Sequence, residues 1–519
     1  ATIVSPAVQI TPTPDAAATA AAIIATSPTA PEPSTVDATS DHVPGLPLAN
    51  VDSEESSATQ QTASGAVVAF VPAPDRDLFR LASELVLPLG APGIPRMVNV
   101  SPVNYAVGHE ETFWLVDFDD TSVYQADFEL KKVSPRAYWY VEKGQNVNQA
   151  DLERSAAEFE SNIYPKVTEF FGLEWSPGVD NDPHLNIIHA QLRGVAGYYS
   201  SADEHPQAVY EHSNQRETIY VNIRSLRVGS QAYHEVLAHE LQHAAHWNAD
   251  SSEETWINEG LSELAVLVAG YTSNSGKRYL NVPNISLTHW PLDYHNIGAH
   301  YGGASLFMSY FSEHYSSQGN LIQFVSETKD GIPGINTYLS DAGYDATFHD
   351  VFQDWLVANL LDEEQSLYGY RDLEGSLDVE DSINEFSQFS SVVPQFAPKY
   401  IELNRSVGPI RLRFDAPTEN TLLPVEVGDS GCWWSNSGDS ISSTLTRTLD
   451  LRELSAATLT YQVWFNVEEE WDYGYVEISR NQGLTWDILK TPSSTSKNPI
   501  GTGFGPGYSG STQDWIDET

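Results

Sequence analysis

A chain of 519 residues is long enough for two or three domains with large cores. Its 71 Asp and Glu against 26 Lys and Arg give a formal charge of −45, which excludes the clustered basic surface that nucleic acid or an anionic membrane requires and suits solubility and cation binding. A single cysteine, Cys432, excludes an intrachain disulfide framework, and no run approaches the ~18–20 apolar residues of a membrane-spanning helix.

In chain order, residues 1–75 hold no Lys or Arg and no aromatic before Phe70, and are mainly Ala, Thr, Pro and Ser with scattered acids. Such a low-complexity segment cannot bury enough apolar area to offset its ordering entropy, and reads as a pro-segment, a cell-wall stalk or a flexible extension. The chain starts at Ala1 without Met, which fits an export signal already removed, and nothing in it shows how the native chain ends. Residues 76–147 are expected to form a small N-terminal β domain, from alternating runs such as Thr112–Val116 and Ala137–Val141. A second unit is expected over 148–390. It opens with helical periodicity through Leu152, Ala156, Phe159, Ile163 and Val167, with a kink at Pro165, and continues in strands at Leu185–Ala190 and Thr218–Ile223. Between them, Asp180-Asn181-Asp182 lies in a Pro- and Gly-rich loop. Hard oxygens at alternate positions make Asp180 and Asp182 candidate Ca²⁺ ligands, while an Asx-turn leading into Leu185 explains the same residues without an ion.

The next helix is predicted over about Ser230–Trp247 and contains His239-Glu240-Leu241-Gln242-His243. His239 and His243 are one helical turn apart, so both rings can face one ion. Glu240 beside them can take a proton from a water that the ion activates. A catalytic zinc needs a third protein ligand, and Glu259 in Trp256-Ile257-Asn258-Glu259-Gly260 arrives on a new helix at a suitable distance. Glu263, one turn further on, can accept the outer N–H of a ligand histidine and fix its tautomer. The metzincin pattern would place Gly and His where His246 and Ala249 stand, so the spacing specifies a gluzincin-type set of His239, His243 and Glu259. His246 shares the metal-facing side of the helix and reads as a supporting or packing residue before a ligand.

Further helices are predicted through Ala304–Tyr315 and Phe348–Leu361. Strands, then the zinc helix, then a helical half is the order of a gluzincin, thermolysin-like cleft, which makes the whole an α+β multidomain protein. Such sites take a further oxyanion donor from the helical half, for which Tyr301 is the first candidate and His300 the second; both can equally be helix-start residues beside Gly302-Gly303. The strand Thr218–Ile223 is a candidate for pairing with an extended substrate. From 395 to 519 the pattern turns to period-two β, as in Thr458–Phe465 and Gly474–Ser479, and an antiparallel β-sandwich is expected. Ser479–Trp486 looks like an Asp-box hairpin with Asn481 in the Asp position, closing a turn.

Leu237–His243 followed by Thr255–Ala265, with Ala299–Phe307 and Asp354–Asn359, resembles the hyicolysin-like and immune inhibitor A-like secreted metallopeptidases over about residues 75–370. Cys432–Ser435, Glu470–Val476 and Gly503–Gly510 are similar to the β-sandwich near the C-terminus of immune inhibitor A peptidases. Immune inhibitor A carries a metzincin-like third histidine that this chain lacks, so the catalytic half is the better match to the hyicolysin-like group. The resemblance implies a bacterial, secreted or cell-surface zinc endopeptidase acting on protein or peptide substrates. The competing expectation is a surface-anchored structural or adhesive assembly protein with self-assembly contacts through the sandwich, and an intact Glu240 weighs against it.

Overall fold

Alternation of large apolar residues with polar ones builds the first sheet, and where the alternation gives way to continuous apolar runs the strands are buried on both faces. The computed structural model describes residues 73–291, 297–363, 366–371, 377, 379, 381–383, 389–404, 413–417, 423–428 and 431–519, so the low-complexity segment expected at 1–75 falls almost wholly outside the described residues. Helix α1 (Leu78–Leu85), capped by Asp77, precedes an antiparallel hairpin of β1 (Glu110–Asp117) and β2 (Ser122–Val133). Strand β3 (Ala137–Glu142) pairs with β2 across a bulge at Leu130/Lys132.

The chain then crosses through α2 (Gln149–Glu158), whose N-cap Asn148 accepts from the N–H groups of Ala150 and Asp151, and α3 (Tyr164–Phe171). A π-helical turn, Phe159–Ile163, joins them. Pro165 sits in the first turn of α3, where its missing N–H is tolerated, and the wide turn just before it replaces the sharp kink expected there. β4 (Leu185–Ala190) enters parallel to β3. β5 (Gly197–Tyr199) and β6 (Thr218–Asn222) complete a six-stranded sheet in the order β1-β2-β3-β4-β6-β5.

This sheet runs across the boundary expected at residue 147. β3 is hydrogen-bonded to β2 on one side and β4 on the other, so the strands expected to form a separate β domain are the near half of one sheet. Trp139, Ile187 and Val221 turn one face towards the helices, while Tyr140, Ile188 and Tyr220 turn the other towards Phe113 and Phe128.

The helical half comprises α4 (Gln231–Ala249), α5 (Thr255–Val268), α6 (Ser275–Asn281), α7 (Ile297–Tyr315), α8 (Ile322–Val325), α9 (Gly331–Asp341) and α10 (Phe348–Leu361). α10 opens on a capping box between Thr347 and Asp350. No helix among the described residues is long and apolar enough to cross a membrane.

Beyond α10 the described residues form short ladders. β7 (Asp381–Ile383) pairs with β8 (Ile401–Leu403), β9 (Tyr461–Val463) with β12 (Ile516–Glu518), and β10 (Glu477–Ile478) with β11 (Asp487–Ile488). The strand expected over Thr458–Phe465 is therefore shortened to Tyr461–Val463, and that over Gly474–Ser479 to Glu477–Ile478 with a single bridge from Gly474 to Tyr508. Between β10 and β11, Asn481 Oδ1 accepts the Thr485 N–H at 3.0 Å and Ser479 Oγ accepts the Gly483 N–H at 2.8 Å, which closes the turn. The region packs against the rest of the chain. Trp471 stacks on Phe118 at 6.3 Å, Phe504 lies against the cluster of Leu78 and Tyr210, and Asp439 accepts from the N–H and hydroxyl of Thr255 at 2.7 and 2.6 Å. The last contact caps the first turn of α5, where the adjoining Glu254 supplies no side-chain cap.

Candidate metal centre

Ser230 caps α4 by accepting the Tyr233 N–H, which starts the helix in the phase that stacks His239 beneath His243. Their Nε2 atoms stand 3.1 Å apart. Glu259 Oε2, from α5, lies 3.2 Å from His239 Nε2 and 3.6 Å from His243 Nε2. These three are the one group of at least three His, Cys, Asp or Glu among the described residues whose ligand atoms converge closely enough to share an ion. Tetrahedral ligands at about 2.0–2.1 Å from zinc sit about 3.3 Å from one another, so the observed spacings fit that ion. Glu259 is 1% exposed and its Oε2 takes no hydrogen bond, the state of a donor atom facing a cation site.

The outer nitrogens of both histidines are held. His239 Nδ1 is 3.6 Å from Glu263 Oε1, and the other oxygen of Glu263 accepts from the hydroxyls of Ser273 and Ser275 at 3.0 and 2.6 Å. His243 Nδ1 is 2.6 Å from Asn258 Oδ1 and 3.1 Å from Ser262 Oγ. Reading the sequence misses Asn258 and Ser262. Their positions one residue before and three after Glu259 are the only local signal of the role.

Burial opposes protonation of His239, but the contact with Glu259 and the charges of Glu240, Glu259 and Glu263 outweigh it and raise its pKa to about 9. Burial pushes Glu259 up; the charge of His243 and the close contacts with both histidines overcome this and hold it down to about 2. Glu240 is fully buried, neither of its oxygens takes a hydrogen bond from a side chain, and burial raises its pKa against the opposing pull of His239 and His243.

Two glycines permit these approaches. A Cβ on Gly197 would come within 2.5 Å of Val236 and 3.3 Å of Glu240 Oε1, so only glycine lets α4 lie against β5 here. A Cβ on Gly260 would meet Met308 at 2.7 Å and the Ala304 carbonyl at 2.8 Å, which keeps α5 and α7 in close contact beside Glu259.

That crossing brings in Tyr301, from the first turns of α7. Its buried hydroxyl contacts the Glu259 carboxylate, and its ring is 6.4 Å from that of His239 and edge-on to Trp290 at 4.9 Å. His300 turns aside, with its ring 6.2 Å from both His289 and Trp290. His246 lies outside the converging group. Burial drives its pKa down to about 3, the neutral state of a packing residue.

The strand expected to meet substrate, Thr218–Ile223, is not at an edge: β6 lies between β4 and β5, and the strand beside Glu240 at the end of the sheet is β5. Of the two candidate calcium ligands, Asp182 is engaged elsewhere. Its oxygens accept from the Tyr138 hydroxyl at 3.0 Å and the His184 N–H at 3.2 Å, so it makes the turn into β4. An apolar hollow lined by Trp114, Phe118, Tyr198, Tyr210 and Trp471 contains none of the converging ligands.

Residues 407–519 match the family model of the immune inhibitor A-like MAM domain. The chain is also similar to the pre-pro-metalloprotease PrtV of Vibrio cholerae serotype O1, in strains M66-2 and ATCC 39315 / El Tor Inaba N16961, at 31% identity over 85 residues. That match covers 16% of this chain and 9% of the relative's length.

Proposed function

We propose that the chain is a zinc-dependent endopeptidase of gluzincin type that works outside the cell. The observation that carries this reading is the convergence of His239, His243 and Glu259 beside a buried Glu240 that takes no hydrogen bond from a side chain. The named relative is a metalloprotease made as a pre-pro form, which agrees with an exported peptidase. Zinc held by the three ligands would supply Lewis acidity, making water more acidic and polarising the scissile carbonyl. Glu240 then takes the proton of the attacking water and returns it to the leaving amine. An extended substrate pairs with β5, the end strand, which runs past Glu240. Tyr301 donates to the carbonyl oxygen as it gains charge.

Casein hydrolysis should be abolished by chelation and restored by zinc. Activity that survives complete removal of metal would overturn the reading. Tyr301→Phe should lower kcat by on the order of 10²-fold with little change in KM, measured at saturating zinc. If excess zinc restores full kcat, the hydroxyl serves only to hold Glu259.

A further inference from the structure

β1 lies at the opposite end of the sheet from β5, and the loop between the short turn Ser201–Glu204 and β6 folds over its outer edge. Asn214 fastens the loop there. Its Oδ1 accepts the Trp114 N–H at 2.8 Å and its Nδ2 donates to the Trp114 carbonyl at 2.9 Å, so one amide stands in for a neighbouring strand. Beside this contact the loop and the β1–β2 hairpin leave a hollow of about 220 Å³, with Glu111, Trp114, Gln125, Gln207, Gln215 and Arg216 among its lining residues. That is many times the ~10–15 Å³ a single water requires, and it admits a sugar ring.

The walls are fixed by the fold and keep polar groups to spare. Arg216 is 8% exposed, its two terminal nitrogens donate to Glu111 at 2.9 and 2.8 Å, and its guanidinium stacks over the Phe113 ring at 5.1 Å. Its Nε has no hydrogen-bond partner. Buried polar groups are ordinarily satisfied, so this wall holds a donor in want of an acceptor. Gln215 stands at φ +55°, a region that few residues other than glycine adopt. Its N–H donates to Ser213 Oγ at 2.8 Å and its Oε1 accepts the Gln207 N–H at 3.0 Å, contacts that hold the strained backbone in place. Strain retained in this way is concentrated at ligand sites. Gln125 is exposed on β2 directly opposite Trp114 in the strand register, which sets an amide beside an indole on one face.

We propose that this hollow binds one neutral sugar ring of a glycan. Side-chain amides donate and accept at once, as adjacent sugar hydroxyls do, and the indole of Trp114 offers an apolar face to the C–H side of the ring. The charge of Arg216 is already matched by Glu111, so an anionic ligand would meet the carboxylate and a cationic one the guanidinium. The formal charge of −45 turns anions away further. The hollow contains none of the converging ligands His239, His243 and Glu259, so binding here stands independently of the metal centre and would hold glycan-bearing material to the protein.

The test is saturation-transfer NMR on the full chain with single sugars as probes: glucose, galactose, mannose and N-acetylglucosamine. With about 12–15 non-hydrogen atoms, the sugar that fits should bind with a Kd on the order of millimolar. Gln125→Ala removes an exposed amide and leaves the core intact, and it should weaken binding by about 3- to 10-fold. Trp114→Ala should weaken it by at least about 10-fold, and Trp114→Phe, which keeps an aromatic face, should recover part of the loss. If Trp114→Ala fails to fold, Gln125→Ala and Trp114→Phe decide. N-acetylneuraminic acid, a charged sugar, should give weaker transfer than the neutral ring. Absence of transfer to all four neutral sugars would overturn the proposal. Equal binding in wild type, Gln125→Ala and the Trp114 variants would also overturn it by placing the sugar elsewhere, and a preference for the acidic sugar would refute the neutral ligand.

Discussion

Glu240→Gln is expected to lower kcat/KM for casein or a peptide by about 10²–10⁴-fold while zinc content stays stoichiometric. The change is nearly isosteric and removes a proton acceptor without removing a ligand, because the converging atoms belong to His239, His243 and Glu259. Gln at this position cannot take the proton of water or return it to an amine. Gln keeps a side-chain oxygen for the contact with the Tyr199 backbone, so the substitution preserves the polar contact of Glu240 with β5. It also removes a fully buried charge, so Tm should be equal to or above that of the wild type. Zinc analysis, melting and kinetics on one preparation check all three expectations. Turnover close to wild type would remove Glu240 from the mechanism, and loss of zinc would give it a structural role at the metal instead.

The converging His-His-Glu pattern is legible in the sequence because its geometry is local. His239 and His243 stand four positions apart, as do Glu259 and Glu263, and a helix converts those intervals into shared faces. The start of α4 at Ser230 and the span of α10 follow from caps and apolar periodicity in the same way. What the sequence conceals depends on partners distant in the chain. β5 is three residues long, too short for an alternation signal, and its importance rests on Gly197 meeting α4. The apolar run of β6 fits an edge or an interior strand equally well, and only the placement of β5 decides between them. Asp180 and Asp182 look equivalent in a short loop, but Tyr138 and His184 occupy Asp182, while Asp180 Oδ1 accepts the Asp182 N–H at 2.9 Å and closes the turn. Asp439 caps α5 from 184 residues away, a contact that no local pattern announces. It also changes the expectation for a truncation at about residue 395, which would uncap the helix that carries Glu259.

Glu259→Ala is expected to cost zinc affinity itself, with activity lost as a consequence. Two imidazoles remain in this variant, and a catalytic zinc site uses three protein ligands. Glu259 also carries the negative charge that faces both histidines, at 3.2 and 3.6 Å, so its removal takes away electrostatic attraction as well as a donor atom. Affinity measured by competition with a chromophoric chelator should fall by at least on the order of 10²-fold, beyond the 10–100-fold typical of losing an outer hydrogen-bond partner such as Glu263. Because Glu259 is buried where α5 crosses α7, Ala leaves a small void, and a modest fall in Tm should accompany the loss. Glu259→Gln separates the two effects. It fills the same volume and keeps an oxygen, so Tm should recover while zinc affinity stays low for want of charge. Full zinc occupancy in a folded Glu259→Ala protein would mean that the third ligand is a different residue and that the gluzincin assignment fails.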